Sequence, residues 1–232
     1  MSEKIADIFK LTHISMQCLL NDYMSNNPGG EDTIHMKKRF NSGMLVSDEI
    51  VNSLFALRVT RRDAKELGAC IDGYPKTEGQ MNYLKNTLKI DPTFVIVLEC
   101  PEHLITERNR IVDTQTGQKY SLQMVRESDD FELKNRIQQV ANESTQVMQK
   151  RIANWDNTRK LLHRFYDKKV VTINVEKMTE EETVEKIVFL LSKLRTNLGS
   201  PNDLRSSAVR DSSVIPSKPA DLDEKKEKHI AE

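Results

Sequence analysis

The sequence predicts an α/β fold, a three-layer sandwich with helices on both faces of a mainly parallel sheet. Three observations predict it. Short β-branched runs alternate along the chain with helix-patterned segments. The run TFVIVLE (93–99) is apolar on both faces of the pleat and bounded by prolines, as a buried parallel strand is. The run KVVTINV (169–175) repeats that character after a long helical pattern, which gives the strand–helix–strand order of a crossover unit.

The elements follow in order. THIS (12–15) and GACID (68–72) read as two further, weaker strands. Ser47-Asp48-Glu49 opens a helix, with Ser47 as N-cap and two acids in the first turn. Thr77 with Gln80, and Thr179 with Glu182, fit the capping box that starts a helix. Met148, Ile152, Trp155, Arg159, Leu162 and Tyr166 step by three and four along one long helix. Apart from Arg159 and the terminal Tyr166, that stripe is expected in the core.

Composition narrows the function classes. Thirty-five Lys and Arg balance thirty-five Asp and Glu in 232 residues. A neutral chain argues against nucleic acid as a partner recruited by bulk charge. No apolar stretch reaches the ~18–20 residues needed to cross a bilayer. The first residues do not read as a secretory signal, and three cysteines without C-x-x-C spacing read as reduced thiols. The expected location is therefore cytoplasmic. Five scattered histidines give no metal-ligand spacing, so no metal site is expected. Residues 198–232 are rich in Ser, Pro, Asp and Lys and lack aromatic residues. Such a segment is expected to be disordered alone or laid on a partner. The organisation expected is one domain over 1–197 and a polar tail over 198–232.

The most specific stretch is NSGMLVSDEIVNSL (41–54) followed by LGACIDGYPKTEGQMNYL (67–84). It resembles the adenylate kinase family, in which G-x-L-V-P-D-E-I-V precedes a strand and D-G-F-P-R-T-x-x-Q. His13–Ser15 resembles the family's second strand. LITERNRIVDTQTGQKYSLQ (104–123) resembles its lid entry and a short lid, with Asp113, Thr116, Gly117 and Tyr120 as the lid core. The resemblance spans about residues 3–195, and the short lid is most similar to the multi-domain adenylate kinases of cilia and flagella. It implies a mononucleotide-binding part near 16–60 and a lid near 110–125. Acceptor-nucleotide positions fall on Gly43, Val46, Gly73, Lys76 and Gln80, with Gln80 reading the base. Vestiges of the catalytic set fall on Asp72, Arg108, Arg110 and Arg151, Asp72 being placed for a magnesium-bound water.

Read as chemistry, Gly73 and Pro75 turn the chain at a strand end, where glycine lets a ligand approach the backbone. Gln80 sits where it can also bond back to the Thr77 cap. Other parts depart from the family pattern. Met16 and Asn21 stand where the family has Thr and Arg, and Lys76 replaces an Arg with loss of its bidentate fork. Val140, Asn142 and Glu143 stand where it has R-x-D-D. No Gly-Lys dipeptide occurs among the eight glycines, so the G-x-x-x-x-G-K-[ST] cradle is not in these residues. The first strand and its phosphate loop are expected to be missing.

Phosphoryl transfer is positioning and charge stabilisation, and each lost arginine costs on the order of 10³-fold or more. The expected function is therefore a catalytically inactive adenylate kinase-like module. It would contact other protein chains in a large assembly, a ciliary axoneme by resemblance, with no cofactor. The alternatives are an active kinase using ATP, AMP and magnesium, if a phosphate loop is supplied, and an AMP or ADP sensor. The missing strand would leave a slot about 10 Å wide between the GACID and TFVIVLE strands. Three outcomes are expected: a strand from another chain, SSAVRDSSVIP (206–216) folding back, or direct closure of the two strands.

Overall fold

The computed structural model describes residues 1–107, 111–116, 119–120, 122–139 and 145–197. Every strand foreseen in the sequence forms. The first helix, α1 (Ser2–Phe9), leads into β1 (Thr12–Ser15), then α2 (Met16–Asn26) and α3 (Glu31–Asn41). Helices α4 (Asp48–Val59) and α5 (Arg62–Leu67) deliver β2 (Ala69–Asp72). Helix α6 (Glu78–Asn82) continues as a single π-turn and leads to β3 (Val95–Glu99) and α7 (Glu102–Glu107). A small excursion follows: β4 (Ile111–Asp113), β5 (Lys119–Tyr120), α8 (Leu122–Glu127), α9 (Phe131–Arg136) and β6 (Ile137–Gln139). The long α10 (Thr145–Tyr166), β7 (Val170–Asn174) and α11 (Glu180–Asn197) complete the described chain.

The strands pair as β1 with β2 and β3 with β7, both parallel, and β5-β4-β6 antiparallel. Direct closure is not what the chain does: among the described residues β2 pairs only with β1, and β3 only with β7. The pleat assigns the layers. Ile14 and Ile71 pack with α2, α4 and Tyr74, while Val95 and Val97 pack with Met81 of α6 and Leu161 and Leu162 of α10. On the other face Cys70, Ile96, Leu98, Val171 and Ile173 share one cluster with α1 and α11. Helices thus flank both faces, as the sequence predicts.

Local chemistry explains the starts. Thr179 and Glu182 form a complete capping box, with Oγ1 accepting from Glu182 N (3.2 Å) and Oε2 accepting from Thr179 N (2.8 Å). Thr77 caps α6 by accepting from Gln80 N (3.1 Å), but Gln80 does not return the bond to Thr77. Ser47 stands at the N-cap of α4 without a side-chain bond, so the two acids carry that start. The stripe along α10 needs correction: Met148 and Ile152 are half-buried, and Tyr166, set apart from the core in the sequence reading, is buried. Trp155 is 36% exposed, whereas Thr158, Leu161, Leu162 and Tyr166 are the buried positions. Arg159 meets Glu99 at the end of β3 at 3.0 Å, and Trp155 lines the same open cleft beside it.

In the antiparallel excursion Asp113 is buried and accepts from Gln115 N (2.8 Å) and Arg136 Nη2 (3.3 Å). The Gln115 amide first, then Arg136, hold its carboxyl below the usual aspartate range against the opposing effect of burial.

Candidate functional site

The carboxyl ends of parallel strands leave backbone groups and loops free, which is where open α/β sheets place ligands. Here β2 ends at Asp72, and Gly73 turns the chain at φ +80°. A Cβ at Gly73 would lie 3.9 Å from Lys76 Nζ, so the turn folds the lysine back over itself. Lys76 as a residue is exposed, yet its ammonium lies among protein atoms. That desolvation, with Arg151 nearby, lowers its pKa below the ordinary lysine value, and Asp72 opposes the shift. Neither Lys76 nor Arg151 has a carboxylate partner among the described residues; Arg151 instead lies over the Phe40 ring at 5.4 Å. Lys76 and Arg151 thus stand at a strand end in no direct ion pair among the described residues, with Asp72 as the nearby opposing charge on Lys76.

A second group of predicted positions lies beside it. Gly43 and Val46 line a cleft of about 500 Å³ together with Arg39, Asp48, Thr77 and Asn154. Gly43 is required by packing. It sits at φ +74°, and a Cβ there would be 2.8 Å from the Val147 carbonyl of α10. Asn154 donates to the Gly43 carbonyl (3.0 Å), and Thr158 donates to the Lys76 carbonyl (2.8 Å). Helix α10 therefore clamps both loops from one side.

Gln80 joins the two groups. It is 3% exposed. Its Oε1 accepts from Lys76 N (2.7 Å) and its Nε2 donates to Asp48 Oδ1 (2.8 Å). Thr77 Oγ1 donates to the other Asp48 oxygen (2.7 Å). Tyr74, stacked on Phe55 at 4.0 Å between centroids, donates to Asn52 Oδ1 (2.9 Å). Both polar ends of the predicted base reader are thus taken by its own chain. Met16, where the family pattern has a hydroxyl, is buried beside Gly73.

The decisive comparison can be set on this geometry. The family model described as "Adenylate kinase" matches residues 1–171. The chain belongs to the adenylate kinase family. It is similar to the adenylate kinase, chloroplastic, of Zea mays, at 30% identity over 207 residues, which is 88% of this chain and 90% of that protein. It is similar to the probable adenylate kinase 2, chloroplastic, of Oryza sativa subsp. japonica, at 28% over 209 residues, 89% of this chain and 69% of that protein. Against the adenylate kinase of Streptococcus gordonii the identity is 35% over 122 residues, half of this chain and 57% of that protein.

Within that family frame, adenylate kinases use ATP and magnesium. Two charged groups near the ends of β2 and α1 are engaged within the chain. Asp72 is the one carboxylate at the end of β2, and its Oδ2 already accepts from Ser2 Oγ (2.9 Å). Ser2 in turn is 3.1 Å from His13 Nε2. Lys4, in the first turn of α1, is paired with Glu180 (3.0 Å) and Glu181 (3.4 Å). A triphosphate needs donors and cations; Asp72 and Lys4 are engaged within the chain, whereas Lys76 and Arg151 are in no ion pair among the described residues. Arg108 and Arg110, expected in the catalytic set, lie outside the described residues, as do Gly117, Val140, Asn142, Glu143 and the tail.

Sequence reading missed Asp48, Asn154 and Thr158 as organisers of the site. Asp48 carried only the signal of a first-turn acid. The other two sit on a helix whose apolar stripe dominated the pattern. No helix of the described residues is long and apolar enough to cross a membrane.

Proposed function

We propose that this chain is an adenylate kinase-family module that does not transfer phosphate as the 232 residues stand. It serves as a structural block that contacts other protein chains in an assembly. The observation that carries the loss of catalysis is the capture of Gln80 by Asp48 and by the Lys76 amide. A base reader with both ends satisfied and 3% exposure must break two bonds before it can recognise a substrate. A coupled assay for ADP formation from ATP and AMP with magnesium tests it. Placement in a ciliary axoneme rests on the short lid-like stretch near 110–125, and co-fractionation with axonemes is its test.

The two cations, neither in a direct ion pair among the described residues, favour a second reading. Lys76 and Arg151 suit the phosphate of a mononucleotide, so AMP or ADP is held without turnover. With a phosphate loop supplied from further sequence, the same pair would serve an active kinase. A thermal-shift titration with AMP, ADP and ATP separates occupancy from its absence, since stabilisation follows ligand concentration over Kd.

A further inference from the structure

A second cleft, of about 660 Å³, opens at the carboxyl ends of β3 and β7. It shares only Ala153 with the cleft around Gly43. Glu99 and Asn174 end the two strands there, and α7 and α10 form the sides. Pro101 and Ile105 from one side, and Ile152 and Trp155 from the other, give it an apolar lining. Trp155 is the only tryptophan of the chain and is 36% exposed. An aromatic face left open in a cleft is freed of water only when something stacks on it. Three carboxylates, Glu99, Glu102 and Asp156, also line the cleft, against one cation, Arg159. That cation is engaged. It donates to Glu99 (3.0 Å) and to Asp156 (2.8 Å), and Lys160 pairs with Asp156 as well (2.8 Å). Glu102, exposed in the first turn of α7, is in no ion pair among the described residues. An anion entering here would meet net like charge, whereas a cation would complete the balance.

We propose that this cleft docks an arginine-bearing segment of a partner protein, the guanidinium stacking on Trp155 and its N–H fork meeting Glu102. The proposal rests on the reading of this chain as a contact module and names the chemistry of one contact. Charge complementarity and the aromatic lining choose the occupant together. A guanidinium is planar, weakly hydrated and always charged, so it stacks on an indole and bonds a carboxylate through two parallel N–H groups. An ammonium brings the charge without the plane. The exposure of Trp155 and Glu102 marks an open cleft rather than an enclosed cavity, which suits a segment laid across it. Tryptophan and arginine are also the side chains that most often carry the energy of a protein contact. The pair of bonds from Arg159 holds Glu99 and Asp156 in place around the apolar lining.

Fluorescence of the full 232-residue protein tests this, because the single tryptophan reports on the cleft alone. Capped tetra-arginine should change the Trp155 emission saturably, and added salt should weaken the response. Capped tetra-lysine should bind less tightly, and capped tetra-glutamate should leave the emission unchanged. Glu102→Gln, an exposed change that spares the core, should weaken tetra-arginine by about two- to fivefold, the range of an exposed ion pair. No response to millimolar tetra-arginine overturns the proposal. So does equal affinity in Glu102→Gln, or a response to tetra-glutamate as strong as to tetra-arginine. Spermine binding as tightly as tetra-arginine overturns it too, by assigning the cleft to a free polyamine. ADP formation beside an intact peptide response would strike the inactive reading and leave the cleft standing. A silent Trp155 beside absent turnover would strike the cleft alone.

Discussion

Asp48 and Gln80, thirty-two residues apart, are joined by a 2.8 Å hydrogen bond from Gln80 Nε2 to Asp48 Oδ1. The bond ties the start of α4 to the start of α6 and fixes the loop between β2 and α6. It also occupies the amide that the family pattern assigns to the acceptor base. Structure and the proposed loss of recognition thus share one contact.

Replacing Asp48 with Ala removes the acceptor for both Gln80 Nε2 and Thr77 Oγ1. Each buried group left unsatisfied costs about 1–3 kcal/mol. Urea unfolding should show a lower midpoint at unchanged slope. An unaltered midpoint would mean that water replaces the carboxylate and that Gln80 is not held by it.

Two glycines are set by contacts rather than by ligand approach. A Cβ at Gly43 would be 2.8 Å from the Val147 carbonyl at a positive φ, and one at Gly79 would be 2.5 Å from Asp48 Oδ2. Gly43→Ala and Gly79→Ala should each destabilise by about 1–3 kcal/mol, through overpacking. Gly43→Ala should be the worse of the two, because its clash is with backbone and its φ is strained as well. Chemical denaturation of both variants checks the order.

Lys76 supplies a pH signature. Its pKa is lowered in the folded chain, chiefly by desolvation of the ammonium and then by Arg151. The unfolded chain therefore binds the extra proton over the window between the lowered value and the ordinary lysine pKa. Stability contributed by this group rises with pH through that window, and the full penalty applies below it. Lys76→Met should flatten the dependence. The same variant should abolish any melting shift produced by millimolar AMP or inorganic phosphate, if the corner binds anions through this ammonium. A phosphate-dependent shift that survives Lys76→Met would place the anion elsewhere.

The capping box at α11 gives a local test. Thr179→Ala removes the acceptor of Glu182 N and should cost about 0.5–2 kcal/mol. Thermal unfolding should register the loss, and Thr179→Ser should restore most of it.

Much of this was legible in the residues. β-branched runs gave β3, between prolines, and β7, after a long helix, because burial on both faces leaves little freedom in composition. The Thr179 box was readable because both partners lie within four residues. Trp155 was misplaced because periodicity identifies a stripe but not how much of its length the sheet covers, and burial begins only at Thr158. The capture of Gln80 was hidden because its partner Asp48 lies in another helix. A pair separated by thirty-two residues leaves no local signature. Gly43 was singled out as a nucleotide-site position, whereas the contact that requires a glycine there, the approach of Val147, depends on how α10 packs.

The central claim concerns chemistry, and phosphotransfer by the purified 232-residue chain tests it most directly. ATP, AMP and magnesium are supplied, and ADP formation is followed by a coupled assay. The account predicts no formation above the protein-free background at any nucleotide concentration. Turnover that depends on this chain, and that Lys76→Met abolishes, would contradict it.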